Sequence, residues 1–222
     1  MESNYRIAYD KALEELRAVE PLTAAHNAEA TFDPVSGCFT VPFFGRQHRV
    51  DLKSGEIVDL VRNRPCSVGA GIMIFNYLSW AKDIQPTGKW ITLKEVPDGG
   101  SVFFPAFYKE VNLALAKTFS GDLELFERCG QWLGGTNLSM GHKAARFQAL
   151  PKVPLAVMLW AGDEEVTGAA NFLFDSTIEH FSPVETIIGF GYFLAHKLIR
   201  CAGHEQKKSH KEKDPFWDVL DD

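Results

Sequence analysis

The chain has 222 residues, 45% hydrophobic and 23% charged, with 17 Phe and a formal net charge of -6. That length suits one domain with a sizeable core, since single domains reach about 250 residues. The acidic balance excludes broad nucleic-acid binding, which needs a basic face against phosphates, and no apolar run approaches the roughly 20 residues that cross a bilayer.

The first twenty residues, which include Arg6, Asp10, Glu14 and Glu15, are too charged for a signal peptide, so a cytoplasmic location is expected. Cysteines stand at positions 38, 66, 129 and 201 without a C-x-x-C pair. The spacing spells neither a zinc ribbon nor a clustered iron-sulfur site, and it is that of reduced thiols.

Residues 4–19 place Tyr5, Tyr9, Leu13, Leu16 and Val19 on one stripe with charges outside, the period of a surface helix. From Ala28 to Leu60 short apolar runs alternate with turn residues at Asp33-Pro34, Gly45-Arg46 and Lys53-Ser54-Gly55, which predicts an antiparallel meander. Residues 67–82 are apolar almost all round, the composition of a buried helix. A short strand is expected from Trp90 to Leu93, then helices through Phe104, Phe107, Val111 and Leu115 and from Leu123 to Leu133. Two strands follow, Arg146 to Leu150 and Leu155 to Trp160, the second apolar throughout and expected at the centre of a sheet. Ser182-Pro183-Val184-Glu185 combines a capping-box pair with Pro at the first helical position, and Gly203 is placed to end that helix. The expected fold is therefore α+β: one domain over residues 1–204, a largely antiparallel sheet packed with about five helices, the C-terminal one buried. Residues 205–222 read as a charged tail ending in Phe216, Trp217 and Leu220, which serves either as a partner anchor or as a hook folding back on the domain.

Three places carry residue types that chemistry uses. The stretch from Gly134 to Lys143 resembles a phosphate loop in composition but lacks its spacing and the Ser or Thr after the lysine. Read as ligand-facing, it offers Gly134, Gly135, Asn137, Ser139 and His142; read as a plain loop, it offers none. Asp163 and Glu164, with Asp175 beyond, are candidates for a carboxylate acid-base pair or for a solvated chain reversal. Cys201 and His204 share a helix face at metal-ligand spacing, while a structural thiol and a helix-terminal histidine explain the same pair.

Several phrases together resemble a prokaryotic family, domain of unknown function 3786. They are Phe43-Phe44-Gly45-Arg46, Asn76-Tyr77-Leu78, Thr87-Gly88-Lys89-Trp90-Ile91, Phe104-Pro105-Ala106-Phe107, the run Pro154 to Glu165, and Leu173-Phe174-Asp175. The family occurs largely in anaerobes, some members attached to a small iron-sulfur domain. The resemblance implies a role near anaerobic one-carbon or corrinoid metabolism, with a redox or corrinoid-related protein as partner. It brings no catalytic residues, Gly141-His142 stands where the family has Gly-Asp, and the cluster cysteines of the attached domain are missing from this sequence. No cofactor is identified. The expectation is a non-catalytic cofactor- or partner-binding accessory domain, with a hydrolase or lyase using an Asp/Glu pair as the alternative.

Overall fold

The structure is a computed structural model that describes residues 2–162 and 167–208. Its first part is built around α1 (Glu2–Arg17) and α3 (Val68–Trp80). Helix α1 buries Ala12, Leu13 and Leu16, while Tyr5, expected on the buried stripe, stands 59% exposed. The apolar face thus begins one turn later. Tyr9 lies against the backbone of α3 at Gly71, where any Cβ would overlap its ring, and its hydroxyl donates to the Gly55 carbonyl at 2.7 Å. A short helix not foreseen from periodicity, α2 (Pro21–Asn27), starts with proline, and the Glu20 carboxylate accepts from the Leu22 and Thr23 amides at its N-terminus.

The expected meander is present as strands β1 (Thr31–Asp33), β2 (Cys38–Phe43), β3 (Arg46–Asp51), β4 (Ile57–Asp59) and β5 (Arg64–Pro65), paired in chain order. Phe39, Val41, Phe43 and Val50 turn inward, as the two-residue period requires. A second antiparallel sheet runs β6-β10-β9-β8-β7, with β6 (Trp90–Ile91), β7 (Thr136–Leu138), β8 (Lys143–Leu150), β9 (Val153–Trp160) and β10 (Ala169–Asp175). Strand β9 is central, as its unbroken apolar run predicts. Strand β10, beside it, escaped sequence reading because Phe172, Leu173 and Phe174 are all buried, and a strand covered on both faces shows no alternation. The two sheets meet where the Phe44 amide donates to the Ala149 carbonyl at 2.8 Å, and residues of both enter one hydrophobic core.

Against the second sheet lie α4 (Gly100–Phe107) and α5 (Leu113–Phe119), joined through a π-helical turn at Tyr108–Asn112, and then α6 (Leu123–Trp132). The last helix, α7 (Val184–Lys208), sinks Ile187, Phe190, Leu194, Leu198 and Cys201 into the core. Two details of its boundaries differ from expectation. The Ser182 hydroxyl, expected to cap, turns back to donate to the Phe181 carbonyl at 2.6 Å; the Pro183 carbonyl accepts from Thr186 and Ile187 to open the helix. Gly203 lies inside the helix, which continues to Lys208, because glycine weakens a helix without being obliged to end it. A capping box is formed elsewhere, by Thr92 and Glu95. Among the described residues no helix is long and apolar enough to cross a membrane.

Candidate functional site: a groove and a basic cavity around Phe193

Three adjoining depressions share Phe193 of α7. The largest, about 960 Å³, is a groove between α1, α3 and α7 whose floor includes Ala12, Ala70, Met73 and Gly189, with Tyr5, Trp80 and Tyr192 along its sides. Polar groups are few: Lys11, Glu15 and Glu185 at the edges, Ser67, and Asn76, whose amide donates to Thr186 Oγ1 at 2.7 Å. A second cavity of about 180 Å³ adjoins it through Ser67, Ala70 and Phe193 and is walled by Arg46, Arg62, Arg64 and Lys197 together with His48, Asp59 and Cys66. A third, about 290 Å³, lies on the far side of Phe44 and Arg46, against Trp132 and Gly134.

The hairpin between β2 and β3 shapes this region. Phe44 and Gly45 both take positive φ, 45° and 77°, the two-residue turn that matches the twist of a hairpin. Such a conformation is costly for a bulky residue. It is held by the hydrogen bond from the Phe44 amide to the Ala149 carbonyl and by the Phe44 ring, stacked on Phe193 with centroids 5.0 Å apart and edge-on to Phe43 at 4.9 Å. Lys197, one helical turn beyond Phe193, sets its ammonium 5.3 Å from the centre of that ring, a cation-π contact.

The basic wall is organised by Asp59. Its carboxylate accepts from Arg46 Nη1 at 2.9 Å and from the Val61 and Arg62 amides at 2.9 and 3.3 Å, which bends the chain so that Arg62 and Arg64 return to the same cavity. Burial alone would raise the acid's pKa, but the bonds from Val61 and Arg62 and the Arg46 charge outweigh it and hold the group ionised below the usual range. His48 faces Asp59 across the β3/β4 ladder, and its Nδ1 contacts the Arg46 carbonyl at 2.9 Å. Burial lowers its pKa more than that carbonyl and Asp59 restore it. The Cys66 thiol is pushed up to about 12, chiefly by burial and further by Asp59. A thiol, an imidazole and a carboxylate thus line one cavity, yet the thiol is shifted away from the thiolate that nucleophilic chemistry requires.

The residues singled out from sequence lie elsewhere for the most part. Gly134, at φ 76°, turns the chain out of α6 and borders the third depression. Gly135 sits against the Phe147 ring, with no room for a Cβ. Asn137 is on edge strand β7 and donates to Glu127 Oε1 at 2.7 Å, beside a Lys143 to Glu127 bond of 2.6 Å. His142 Nδ1 accepts from the Ala161 amide at 3.0 Å, and Ser139 is exposed in the turn after β7. These positions form an edge strand and its turn rather than a wall of the groove. Asp163 and Glu164 lie outside the described residues. Asp175 is fully buried and accepts five hydrogen bonds, from the amides of Thr87, Gly88 and Thr177 and from both threonine hydroxyls. Burial would raise its pKa, but these bonds overcome it and keep the group ionised. Cys201 is buried against the Cys129 thiol, whose pKa their hydrogen bond and then burial raise. Half-buried His204 is one turn on, and among the described residues no three His, Cys, Asp or Glu side chains are grouped to hold a metal.

Sequence reasoning missed Arg62, Arg64 and Lys197. The only local trace was Arg62-Asn63-Arg64 in a turn with Asn63 at φ 52°, and Lys197 joins them solely through the fold.

Two sheets about one core, with a helix-walled groove beside a basic cavity, define an α+β domain. The chain belongs to the family described as "Domain of unknown function (DUF3786)", which it matches over residues 20–197. No curated protein and no solved structure matches the chain. The matched span includes the hairpin, the basic wall, α3 and the part of α7 that carries Phe193.

Proposed function

We propose that this domain is a non-catalytic binding module whose site is the groove between α1, α3 and α7. The observation that carries the reading is the groove itself: about 960 Å³, the upper part of the size range of small-molecule and cofactor sites, lined by apolar and aromatic side chains with a few polar ones. The ligand is cofactor-like, with an apolar or aromatic body. A source for it in anaerobic one-carbon or corrinoid metabolism, and a redox or corrinoid-related protein as the partner receiving it, belong to the same proposal through the family resemblance.

Gly189 supplies the test. A Cβ there meets Met73 at an ordinary 3.6 Å, so Gly189→Leu fills the groove without forcing the backbone. Binding of the neutral apolar dye Nile red should be saturable in the native protein and lost in Gly189→Leu, with the melting temperature held or raised. Equal dye binding by both proteins would sink the assignment. The rival reading, a hydrolase or lyase working through Asp163 or Glu164, would be removed by activity that survives an Asp163→Ala, Glu164→Ala double variant.

A further inference from the structure

We infer that Asn76 and Thr186 form the polar recognition point of the groove, and that its ligand carries a neutral lactam or carboxamide edge on an aromatic body. This rests on the groove reading and adds the chemical class of the ligand.

Asn76 on α3 and Thr186 on α7 both line the groove and meet between the two helices, Asn76 Nδ2 donating to Thr186 Oγ1 at 2.7 Å. Among the described residues this is the one side-chain hydrogen bond of either residue. It leaves capacity over: the Asn76 carbonyl oxygen keeps its lone pairs, and the Thr186 hydroxyl keeps its proton. With the amide turned over, the hydroxyl donates to the carbonyl, and an N–H and a hydroxyl lone pair are left instead. Either way, one donor and one acceptor stand side by side. Thr186 is 3% exposed, so bulk water serves its hydroxyl poorly, and a buried polar group left unmet costs stability.

The surroundings specify the rest of the ligand. Met73 and Trp80, about one turn to either side of Asn76, and Gly189, one turn beyond Thr186, line the same groove, so the pair is set in an apolar wall. The charged lining residues Lys11, Glu15 and Glu185 are all exposed, and Lys11 stands 3.7 Å from Glu15. An ionised ligand group beside Asn76 would lose its water without gaining a counter-charge. A plain hydrocarbon would leave the pair unmet. A ring that bears N–H and C=O on one edge answers the acceptor and the donor together, and its faces suit the aromatic sides at Tyr5, Trp80 and Tyr192.

The experiment is displacement of Nile red by two bicyclic probes of nearly one shape: the lactam 2-quinolinone, and its lactone counterpart coumarin, in which a ring oxygen replaces the N–H. It is run on the native protein, on the double variant Asn76→Leu, Thr186→Val, and on Thr186→Ser, with the dye's own affinity and the melting temperature measured for each. The native protein should prefer the lactam by about tenfold or more, the scale of a hydrogen bond whose partner otherwise goes unmet. The double variant should erase that preference, and Thr186→Ser, which keeps the hydroxyl, should retain it. Replacing both partners of a buried bond by apolar groups of similar shape costs little stability, so the double variant should fold; should it melt below the assay temperature, Asn76→Leu alone must lower the preference. A bond that merely ties α3 to α7 would not make the groove tell lactam from lactone. Failure of Nile red to bind the native protein defeats the groove reading, whereas dye binding with equal displacement by the two probes defeats the present inference alone. A lactam preference that persists in the double variant would overturn it as well.

Discussion

Phe44 and Phe193, from a hairpin near the start of the chain and a helix near its end, stack at 5.0 Å with 28° between their planes. The contact fixes the hairpin tip against α7 although Phe44 sits at φ 45°, where a side chain costs about 1 kcal/mol relative to glycine. Phe44→Gly removes that strain along with the stack, while Phe44→Ala removes only the stack. Urea denaturation should therefore find the Gly variant more stable than the Ala variant by about 1 kcal/mol, with both below the native protein. The reverse order would mean that the turn is not left-handed.

Asp175 ties the loop at Thr87 and Gly88 to the end of β10 with three hydrogen bonds, and accepts two more from Thr177. In Asp175→Asn one oxygen becomes a donor that faces other donors in a buried site. We expect a loss of about 3 kcal/mol in urea unfolding, the scale for a broken charge-assisted network. A change below about 0.5 kcal/mol, typical of an exposed site, would show that the clamp is not formed.

Acid should weaken the fold in two stages. His48 has its pKa lowered in the folded state, mainly by burial, so below about pH 6.5 the unfolded chain takes a proton that the native one refuses, and stability falls with pH. His196, lowered by burial and by Arg200 and Lys197, adds to this stage. Asp59 and Asp175 are lowered too; their stabilisation is complete above the ordinary carboxylate range near pH 4 and is lost as pH drops through the folded values. The urea midpoint plotted against pH should show both descents, and His48→Gln should shrink the first while leaving the second.

Much of the fold was legible in residue patterns, and little of the site was. Helix α1, the meander and the central strand β9 follow from periodicity and turn residues that act over a few positions. Strand β10 did not, since Phe172, Leu173 and Phe174 face apolar neighbours on both sides. The cavity beside the groove is assembled from Arg46, Arg62, Arg64, Phe193 and Lys197, contributed by a hairpin, a turn, an edge strand and a distant helix. Local sequence holds no spacing that announces such a set. The glycine-rich run at Gly134 attracted notice because glycine marks both ligand loops and tight packing; at Gly135 the neighbouring Phe147 ring accounts for it.

The thiols give a further check. Cys66 is pushed up to about 12 by burial, and Cys129 is raised by its bond to Cys201 and by burial. At about pH 8, where an ordinary thiol is partly ionised, both should resist an aromatic disulfide reagent until denaturant is added. Peptide mapping of the label would show this, and rapid labelling of half-buried Cys66 in the native protein would contradict its suppressed ionisation.

The central claim is that the belt around Phe193 holds a ligand, and native mass spectrometry of protein purified without oxygen tests it most directly. The native chain should carry a non-covalent added mass, with the visible absorption of any chromophore it brings, and Gly189→Leu should be free of it. The same added mass on both proteins, or none on either, would contradict the account.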